Sequence, residues 1–151
     1  MEKVAVFPGS FDPITKGHEA IINKASSLFD KIVVAIGVNS SKKYMFSLEE
    51  RIRFCKATFT ESNISVDTYE GLTVDYCSNI GANYLIRGLR TSADFEYESG
   101  IAQMNKAIKS ETETIFMLAP LQLSAISSTI VRDILKNGGD VSQFIPSGIQ
   151  L

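Results

Sequence analysis

Residues 4–18, VAVFPGSFDPITKGH, decide the fold class, because an apolar run leads through a glycine-containing loop directly into a helical pattern. The run Val4–Phe7 has the near-continuous apolar character of a strand that is buried on both faces. After Gly17, helical spacing begins with apolar residues at Ile21, Ile22, Ala25 and Leu28. A strand, a short loop and a helix in this order are typical of an α/β domain with a parallel sheet.

The same alternation of strand and helix recurs along the chain. Four further β-rich apolar runs predict strands at Ile32–Val38, Ile64–Thr68, Tyr84–Ile86 and Thr114–Leu118. Apolar spacing predicts helices between them, over Leu48–Phe59, Val74–Ile80, Phe95–Ile108 and Ile130–Leu135. Ser47 and Glu50 form a predicted capping box, and Gly81 is placed to end a helix. The pattern predicts a single Rossmann-like domain over residues 1–151, with a five-stranded parallel sheet and helices on both faces.

Composition excludes several classes of protein. The 151 residues carry 15 Lys and Arg against 17 Asp and Glu, which excludes a strongly basic nucleic-acid binder. No stretch approaches the ~18 apolar residues of a membrane-spanning helix, and the first apolar run is too short for a signal peptide. Cys55 and Cys77 match no zinc motif or disulfide framework. We therefore expect a cytoplasmic protein without nucleic-acid or membrane partners, and a packed C-terminal segment over Val141–Leu151.

The loop after the first strand has features of an anion site. Gly9 and Gly17 allow close approach of the backbone to a ligand, and His18, the one histidine, stands at a helix start where N–H groups favour an anion. The alternative is that His18 is a surface or capping histidine. The loop lacks the G-x-G-x-x-G pattern, and the chain has no P-loop motif, so ordinary dinucleotide and P-loop sites lose their main support.

Three other segments that follow predicted strands carry phosphate-binding residue types. Arg87-Gly88-Leu89-Arg90 places two guanidinium groups near a strand end, although a solvated turn paired with Asp94 and Glu96 is the alternative. Ser124–Thr129 is rich in hydroxyls at a helix start, which helix capping also explains. Lys42 lies in the loop Ser40–Phe46. Because ligands bind beyond the carboxyl ends of parallel strands, the four segments together predict a nucleotide phosphate site.

These motifs carry a resemblance to a known family. GSFDPITKGH, with Thr15-Lys16-Gly17-His18, resembles the T/H-x-G-H signature of nucleotidyltransferases. Taken with the lysine, arginine and hydroxyl segments in this order, the chain resembles the bacterial phosphopantetheine adenylyltransferase family from Val4 to about Pro146. The resemblance implies transfer of an adenylyl group from ATP to 4′-phosphopantetheine, giving dephospho-coenzyme A and pyrophosphate. It also implies Mg²⁺, a homohexamer and a cytoplasmic role in coenzyme A synthesis. The sequence shows no metal-ligating cluster, so we expect no metal site on the protein and an ion that arrives with ATP.

The resemblance also implies roles for individual positions. The implied catalytic residues are His18, Lys42 and Arg90. The implied acceptor-binding residues are Ser10, Lys42, Thr73 and Arg87. The implied ATP-binding residues are Ser10, Phe11, His18, Gly88, Leu89, Arg90, Glu98, Leu123, Ser124, Ala125, Ile126, Ser127, Ser128 and Thr129.

Two alternatives stay open from the sequence. One is another nucleotidyltransferase of the same superfamily, a cytidylyltransferase or a nicotinamide mononucleotide adenylyltransferase, whose first motif usually has histidine where Thr15 stands. The other is a nucleotide-binding regulator without turnover. The presence of His18, Lys42 and Arg90 argues against the regulator.

Overall fold

Five strands form one parallel sheet in the order β3-β2-β1-β4-β5 in a computed structural model that describes all 151 residues. The strands are β1 (Val4–Gly9), β2 (Lys31–Gly37), β3 (Ile64–Tyr69), β4 (Tyr84–Leu89) and β5 (Glu113–Leu118). The helices are α1 (Lys16–Ala25), α2 (Leu48–Thr58), α3 (Thr73–Asn79), α4 (Ser92–Ile108) and α5 (Ser128–Lys136), with a 3₁₀ turn at Leu121–Leu123. The predicted α/β fold with five parallel strands is confirmed.

Both faces of the central strands are buried. Alternate residues of a strand point to opposite faces, so Ala5 and Phe7 join one apolar cluster while Val4 and Val6 join another. Apolar residues of α1, α2, α5 and the C-terminal segment belong to the first cluster, and residues of α3 belong to the second. This two-sided burial explains why the strand sequences are apolar without alternation.

The edge strands β3 and β5 are less buried than their apolar runs predict. Ser65 and Asp67 of β3 are exposed, as are Glu113 and Leu118 of β5. The interpretation of all five runs as strands covered on both faces is therefore wrong at the two edges. An edge strand has a neighbour on one side only, so polar residues are tolerated there and limit pairing with other chains.

Two helix boundaries differ from the predictions by three residues, and the others differ by at most two. The first helix ends at Ala25, and Leu28 is 55% exposed beyond it. The long helix begins at Ser92, about one turn before Phe95, because Thr91 caps it and the Asp94 side chain completes a capping box. The capping box of Ser47 and Glu50 is confirmed.

Glycine ends the short third helix as predicted. Gly81 follows α3 with φ of +70°, a left-handed conformation that glycine adopts without steric cost.

The strand order reverses between β1 and β4, where the predicted ligand site lies. Arg87 and Gly88, expected beyond a strand end, lie inside β4, which extends to Leu89. Arg90 follows directly.

The C-terminal segment packs as expected, with Val141, Ile145 and Ile149 buried in the first cluster. The carbonyl of Phe144 accepts a hydrogen bond from the backbone N–H of Lys16 at 2.9 Å, which ties this segment to the start of α1.

None of the helices combines the length and the apolar character that crossing a bilayer requires.

Candidate active site

Side chains from three other elements hold the end of β1 and the loop between β1 and α1. Each of four side chains donates a hydrogen bond to a different backbone carbonyl of this stretch. The pairs are Arg87 Nη1 to Pro8 at 3.1 Å, Arg51 Nη1 to Ser10 at 2.9 Å, Arg132 Nη1 to Asp12 at 2.9 Å and Ser128 Oγ to Pro13 at 2.8 Å. Arg132 and Ser128 both belong to the first turns of α5, so β4, α2 and α5 together fix the backbone on which the candidate site is built.

The carboxylate of Asp12 adds a further tie, because it accepts hydrogen bonds from the backbone N–H groups of Met45 and Phe46, each at 2.9 Å. These contacts join the first loop to the segment that carries Lys42. The two predicted loops are thus one connected structure.

His18 is a neutral hydrogen-bond donor. The backbone N–H of Thr15 donates to His18 Nδ1 at 3.0 Å, so Nδ1 is the acceptor and the neutral ring carries its proton on Nε2. Burial, with smaller contributions from the charges of Arg87 and Arg90, lowers the pKa of His18 from 6.5 to about 4. At neutral pH the ring therefore offers an N–H without a positive charge.

The capping interpretation of His18 is also correct. Thr15 is the N-cap of α1, and its side chain accepts a hydrogen bond from the backbone N–H of His18 while the His18 side chain accepts one from the backbone of Thr15. The same contact that caps the helix assigns the tautomer. The two interpretations considered from the sequence are therefore compatible.

A cavity of about 310 Å³ lies beside His18, and we call it the His18 cavity. It lies against the start of α1, the end of β4 and the start of α5. Ten of the residues that were selected from the sequence line this cavity. They are His18, Gly88, Arg90, Ile126, Ser127, Ser128 and Thr129, together with Gly9, Gly17 and Arg87. Two guanidinium groups, a neutral imidazole and two helix N-termini form a set of donors suited to phosphate oxygens.

A second cavity of about 280 Å³, the Lys42 cavity, lies next to the first. It is lined by all four implied acceptor-binding residues, Ser10, Lys42, Thr73 and Arg87. Lys42 Nζ donates to Ser10 Oγ at 3.0 Å. The two cavities share Pro8, Gly9 and Arg87, so two ligands bound in them would meet at this point.

Arg87 is fixed in orientation by Glu98. Its Nε and Nη2 donate to the Glu98 carboxylate at 2.9 and 2.6 Å, and its Nη1 donates to the Pro8 carbonyl. A guanidinium group has five N–H donors, so two remain for a ligand. Glu98 lines a third cavity of about 210 Å³ together with Thr73 and Asn105, and it does not line the His18 cavity.

Other implied ATP-binding residues lie outside the cavity walls. Phe11 and Leu89 are 2% and 7% exposed, and the Phe11 ring packs edge-on against the His18 ring with centroids 5.1 Å apart. Leu123, Ser124 and Ala125 lie in the segment before α5 and do not line the His18 cavity. Phe11 thus contacts an implied catalytic residue rather than the cavity itself.

The hydroxyl cluster is used largely within the protein. Ser127 is the N-cap of α5 and accepts from the backbone N–H of Ile130 at 3.2 Å, so the capping interpretation is correct for this residue. Thr129 Oγ1 accepts from Arg132 Nη2 at 3.2 Å. What faces the cavity as a group is therefore the capped start of α5, whose N–H groups favour an anion.

The donor set does not fit a metal held by the protein. No group of three or more His, Cys, Asp or Glu side chains is placed to hold a metal ion. The polar side chains around both cavities are instead cations, hydroxyls, one amide and a neutral imidazole. These are donors toward phosphate rather than ligands of a hard cation.

Three residues that support the site were not selected from the sequence. They are Tyr44, Arg51 and Arg132. Tyr44 lies in the loop before α2 and contacts Lys42, whereas Arg51 of α2 and Arg132 of α5 donate to carbonyls of the first loop. Arginines within a helix give no signal that separates a buried anchor from a solvated side chain. Only the position of Tyr44, two residues after Lys42, could have indicated from the sequence that it supports the site.

Comparison with known proteins agrees with this geometry. A profile of the cytidylyltransferase-like family matches residues 6–134. The phosphopantetheine adenylyltransferase of Flavobacterium psychrophilum is 54% identical over 97% of both chains, and that of Cytophaga hutchinsonii is 46% identical over 97% of this chain and 98% of its own.

A solved structure shares the fold at low identity. The bifunctional NMN adenylyltransferase/ADP ribose pyrophosphatase of Francisella tularensis superposes with a TM-score of 0.75 at 17% identity, over 99% of this chain and 46% of the larger one. At this identity the likeness concerns the fold alone. The sequence relatives go further, and on their identity and coverage the chain belongs to the phosphopantetheine adenylyltransferases of the cytidylyltransferase-like family.

Proposed function

We propose that the protein transfers the adenylyl group of ATP to 4′-phosphopantetheine, releasing pyrophosphate and forming dephospho-coenzyme A. The observation that carries this proposal is the pair of cavities that meet at Gly9 and Arg87. ATP occupies the His18 cavity, and the phosphate of the acceptor occupies the Lys42 cavity. The relatives named above are called phosphopantetheine adenylyltransferases, which supports this assignment of the two substrates.

The chemistry needs no general base. A phosphate monoester has a second pKa near ~6, so the acceptor phosphate is largely dianionic at neutral pH. One of its oxygens attacks the α-phosphorus of ATP, a new P–O bond forms, and the bond to the leaving pyrophosphate oxygen breaks in line. No proton has to be removed from the nucleophile before attack.

The residues act by positioning and by neutralising charge. Lys42 and the two free N–H groups of Arg87 hold the acceptor phosphate at the shared wall, while Arg90 and the start of α5 bind the phosphates of ATP. The Nε2–H of His18 donates to an oxygen of the transferring group, where negative charge is rearranged in the transition state. Because these donors are already fixed by Thr15 and Glu98, little reorganisation is needed.

Magnesium enters, in this proposal, as the complex with ATP. The donor set of the protein suits phosphates, and the β- and γ-phosphate oxygens provide the hard ligands that Mg²⁺ prefers. The ion supplies charge neutralisation on the leaving pyrophosphate.

We also propose a homohexamer in the cytoplasm. Apolar side chains are exposed along α4, at the end of β5 and just after it, which supports a subunit interface. They are Phe95, Tyr97, Ile101, Met104, Ile108, Leu118 and Leu121, exposed between 39% and 87%. The two cysteines are free and buried, which suits a reducing compartment. Sedimentation equilibrium tests the stoichiometry, and a monomer at micromolar concentration would contradict it.

Pyrophosphate release tests the reaction. The purified protein is mixed with Mg²⁺, one of ATP or CTP, and one of 4′-phosphopantetheine or nicotinamide mononucleotide, and the product is identified by mass. Release only with ATP and 4′-phosphopantetheine, with dephospho-coenzyme A as product, is expected. Turnover with CTP or nicotinamide mononucleotide would assign another activity of the superfamily. Binding of ATP without product in any combination would indicate a regulator.

A further inference from the structure

Two cationic side chains hold Ser10, one at its hydroxyl and the other at its backbone carbonyl. Lys42 Nζ donates to the Ser10 hydroxyl at 3.0 Å, and Arg51 Nη1 donates to the Ser10 carbonyl at 2.9 Å. Lys42 comes from the loop before α2 and is exposed, whereas Arg51 lies in α2 and is 2% exposed. The position of the Ser10 hydroxyl in the Lys42 cavity therefore depends on two side chains outside the first loop.

The ring of Tyr44 contacts both cations. The Arg51 guanidinium carbon lies 3.9 Å from the ring centroid, and Lys42 Nζ lies 5.5 Å from it. Both distances are within the ~6 Å over which an aromatic face attracts a cation. The Tyr44 hydroxyl makes only a long hydrogen bond of 3.5 Å to the Gly37 carbonyl, so the ring itself provides the main interaction.

Neither cation has a carboxylate partner. The ion pairs of the chain join Arg87, Arg90, Lys106 and Lys109 to acids, and none includes Lys42 or Arg51. The buried Nε of Arg51 also has no hydrogen-bond partner. Apart from Ser10 itself, the aromatic ring of Tyr44 is thus the group that contacts both of these like charges.

We propose that Tyr44 is a positioning residue, which holds Lys42 and Arg51 against Ser10 and so sets the affinity of the enzyme for the phosphate of the acceptor. This inference rests on the proposed function. Ser10, Lys42 and Tyr44 line the Lys42 cavity, and none of them lines the His18 cavity. The effect of Tyr44 therefore falls on the acceptor and leaves ATP binding unchanged.

Two substitutions at this position separate the ring from the hydroxyl. Tyr44→Leu removes the aromatic face and frees the Lys42 side chain, so the KM for 4′-phosphopantetheine rises by about 3- to 30-fold while the KM for ATP stays constant. Tyr44→Phe keeps the ring and loses only the 3.5 Å hydrogen bond, and it is expected to behave like the wild type. Thermal unfolding of both variants is measured in parallel.

Calorimetric titration with 4′-phosphopantetheine gives a readout that does not require turnover. The dissociation constant of Tyr44→Leu is expected to rise by the same factor as its KM, and Tyr44→Phe is again unchanged. Normal acceptor affinity in Tyr44→Leu overturns the inference, and so does equal impairment of Tyr44→Leu and Tyr44→Phe. A rise in both KM values together with a matching loss of thermal stability also overturns it, since that pattern indicates a structural role only.

The same titration separates this inference from the proposed function. A wild type that binds the acceptor but releases no pyrophosphate would contradict the proposed reaction, while the ratio of dissociation constants would still decide the role of Tyr44. A wild type that does not bind the acceptor would overturn both.

Discussion

The backbone nitrogen of Thr15 lies 3.0 Å from Nδ1 of His18, and its N–H determines which ring nitrogen of the neutral imidazole carries the proton. An N–H group can only donate, so Nδ1 must accept and the ring proton resides on Nε2. A helix cap thereby fixes the chemical state of the residue that is proposed to face the reacting phosphate.

The ionisation of His18 can be measured directly. Since it is the sole histidine, the imidazole signals in NMR spectra of the whole chain belong to it. We expect a titration midpoint at about pH 4 and the Nε2–H tautomer at neutral pH, because burial and the charges of Arg87 and Arg90 disfavour the imidazolium ion. A midpoint near the ordinary 6.5 would contradict the neutral-donor role.

The same pKa change predicts the direction of a stability effect. In the unfolded chain His18 binds a proton near pH 6.5, whereas the folded state resists protonation down to about pH 4. Above pH 6.5 neither state binds this proton, so His18 does not affect the free energy of unfolding. As the pH falls from 6.5 toward 4, the unfolded state binds the proton first and the folded state loses stability. Urea unfolding of His18→Gln is expected to show a weaker decline over this window than the wild type.

Substitutions of His18 separate catalysis from capping. His18→Ala removes both the Nε2–H donor and the side-chain acceptor of the capping box, whereas His18→Gln retains a side chain typical of the capping box at this position. We expect both to lower kcat by about 10²–10³-fold, the loss typical of one transition-state donor. Near-normal turnover in His18→Gln, measured by pyrophosphate release, would show that the histidine acts only through the helix.

Arg90 is expected to affect ATP rather than the acceptor. It lines the His18 cavity and makes only a 3.6 Å ion pair with Asp94, so its guanidinium group remains available to phosphate. Arg90→Ala should raise the KM for ATP by about 10- to 100-fold, as loss of a hydrogen bond to a charged group predicts. Arg53→Ala is the matched control, because Arg53 is exposed on α2 and lines neither cavity.

Neighbouring lysines provide a second matched pair. Lys42 contacts Ser10 and lines its cavity, whereas the adjacent Lys43 is exposed and lines neither substrate cavity. Lys42→Met should raise the KM for 4′-phosphopantetheine by about tenfold or more. Lys43→Met removes the same charge from the same loop and should leave that constant unchanged. Equal effects would indicate general electrostatic attraction instead of a defined contact.

Two glycines are expected to respond to alanine in opposite directions. A Cβ at Gly139 would lie 2.5 Å from Ile134 Cγ2 and 3.2 Å from its carbonyl oxygen, so Gly139→Ala should destabilise the fold by about 1–3 kcal/mol. A Cβ at Gly100 meets nothing within 4 Å, and this residue lies inside α4. Gly100→Ala should stabilise by about 0.5–1 kcal/mol. Urea unfolding measures both, and the same sign for both would refute the steric argument.

The order of elements and the location of the site follow from the sequence because they depend on local patterns. Near-continuous apolar runs identified five strands, and the glycines and cations at or after the carboxyl ends of β1, β2 and β4 identified one edge of the sheet. Boundaries were less accurate where a polar side chain decides them, as Thr91 and Asp94 do for α4.

Long-range anchors lie beyond the reach of sequence patterns. Arg51 and Arg132 appear in helices as ordinary charged residues, yet each donates to a carbonyl more than 40 positions away in the chain, at separations of 41 and 120 residues. The ion pair of Arg87 with Glu98 likewise depends on how α4 crosses β4. Such contacts follow from tertiary packing, which a single chain's periodicity does not encode.

The hydrogen bond between the N–H of Lys16 and the carbonyl of Phe144 has a consequence for the order of folding. The sheet uses no residue after β5, so the strands can pair before the segment that carries Phe144 has docked. Until this segment docks, the first turn of the helix that carries His18 lacks one hydrogen-bond acceptor. A chain with a complete sheet but an undocked segment would therefore have an unfinished nucleotide pocket.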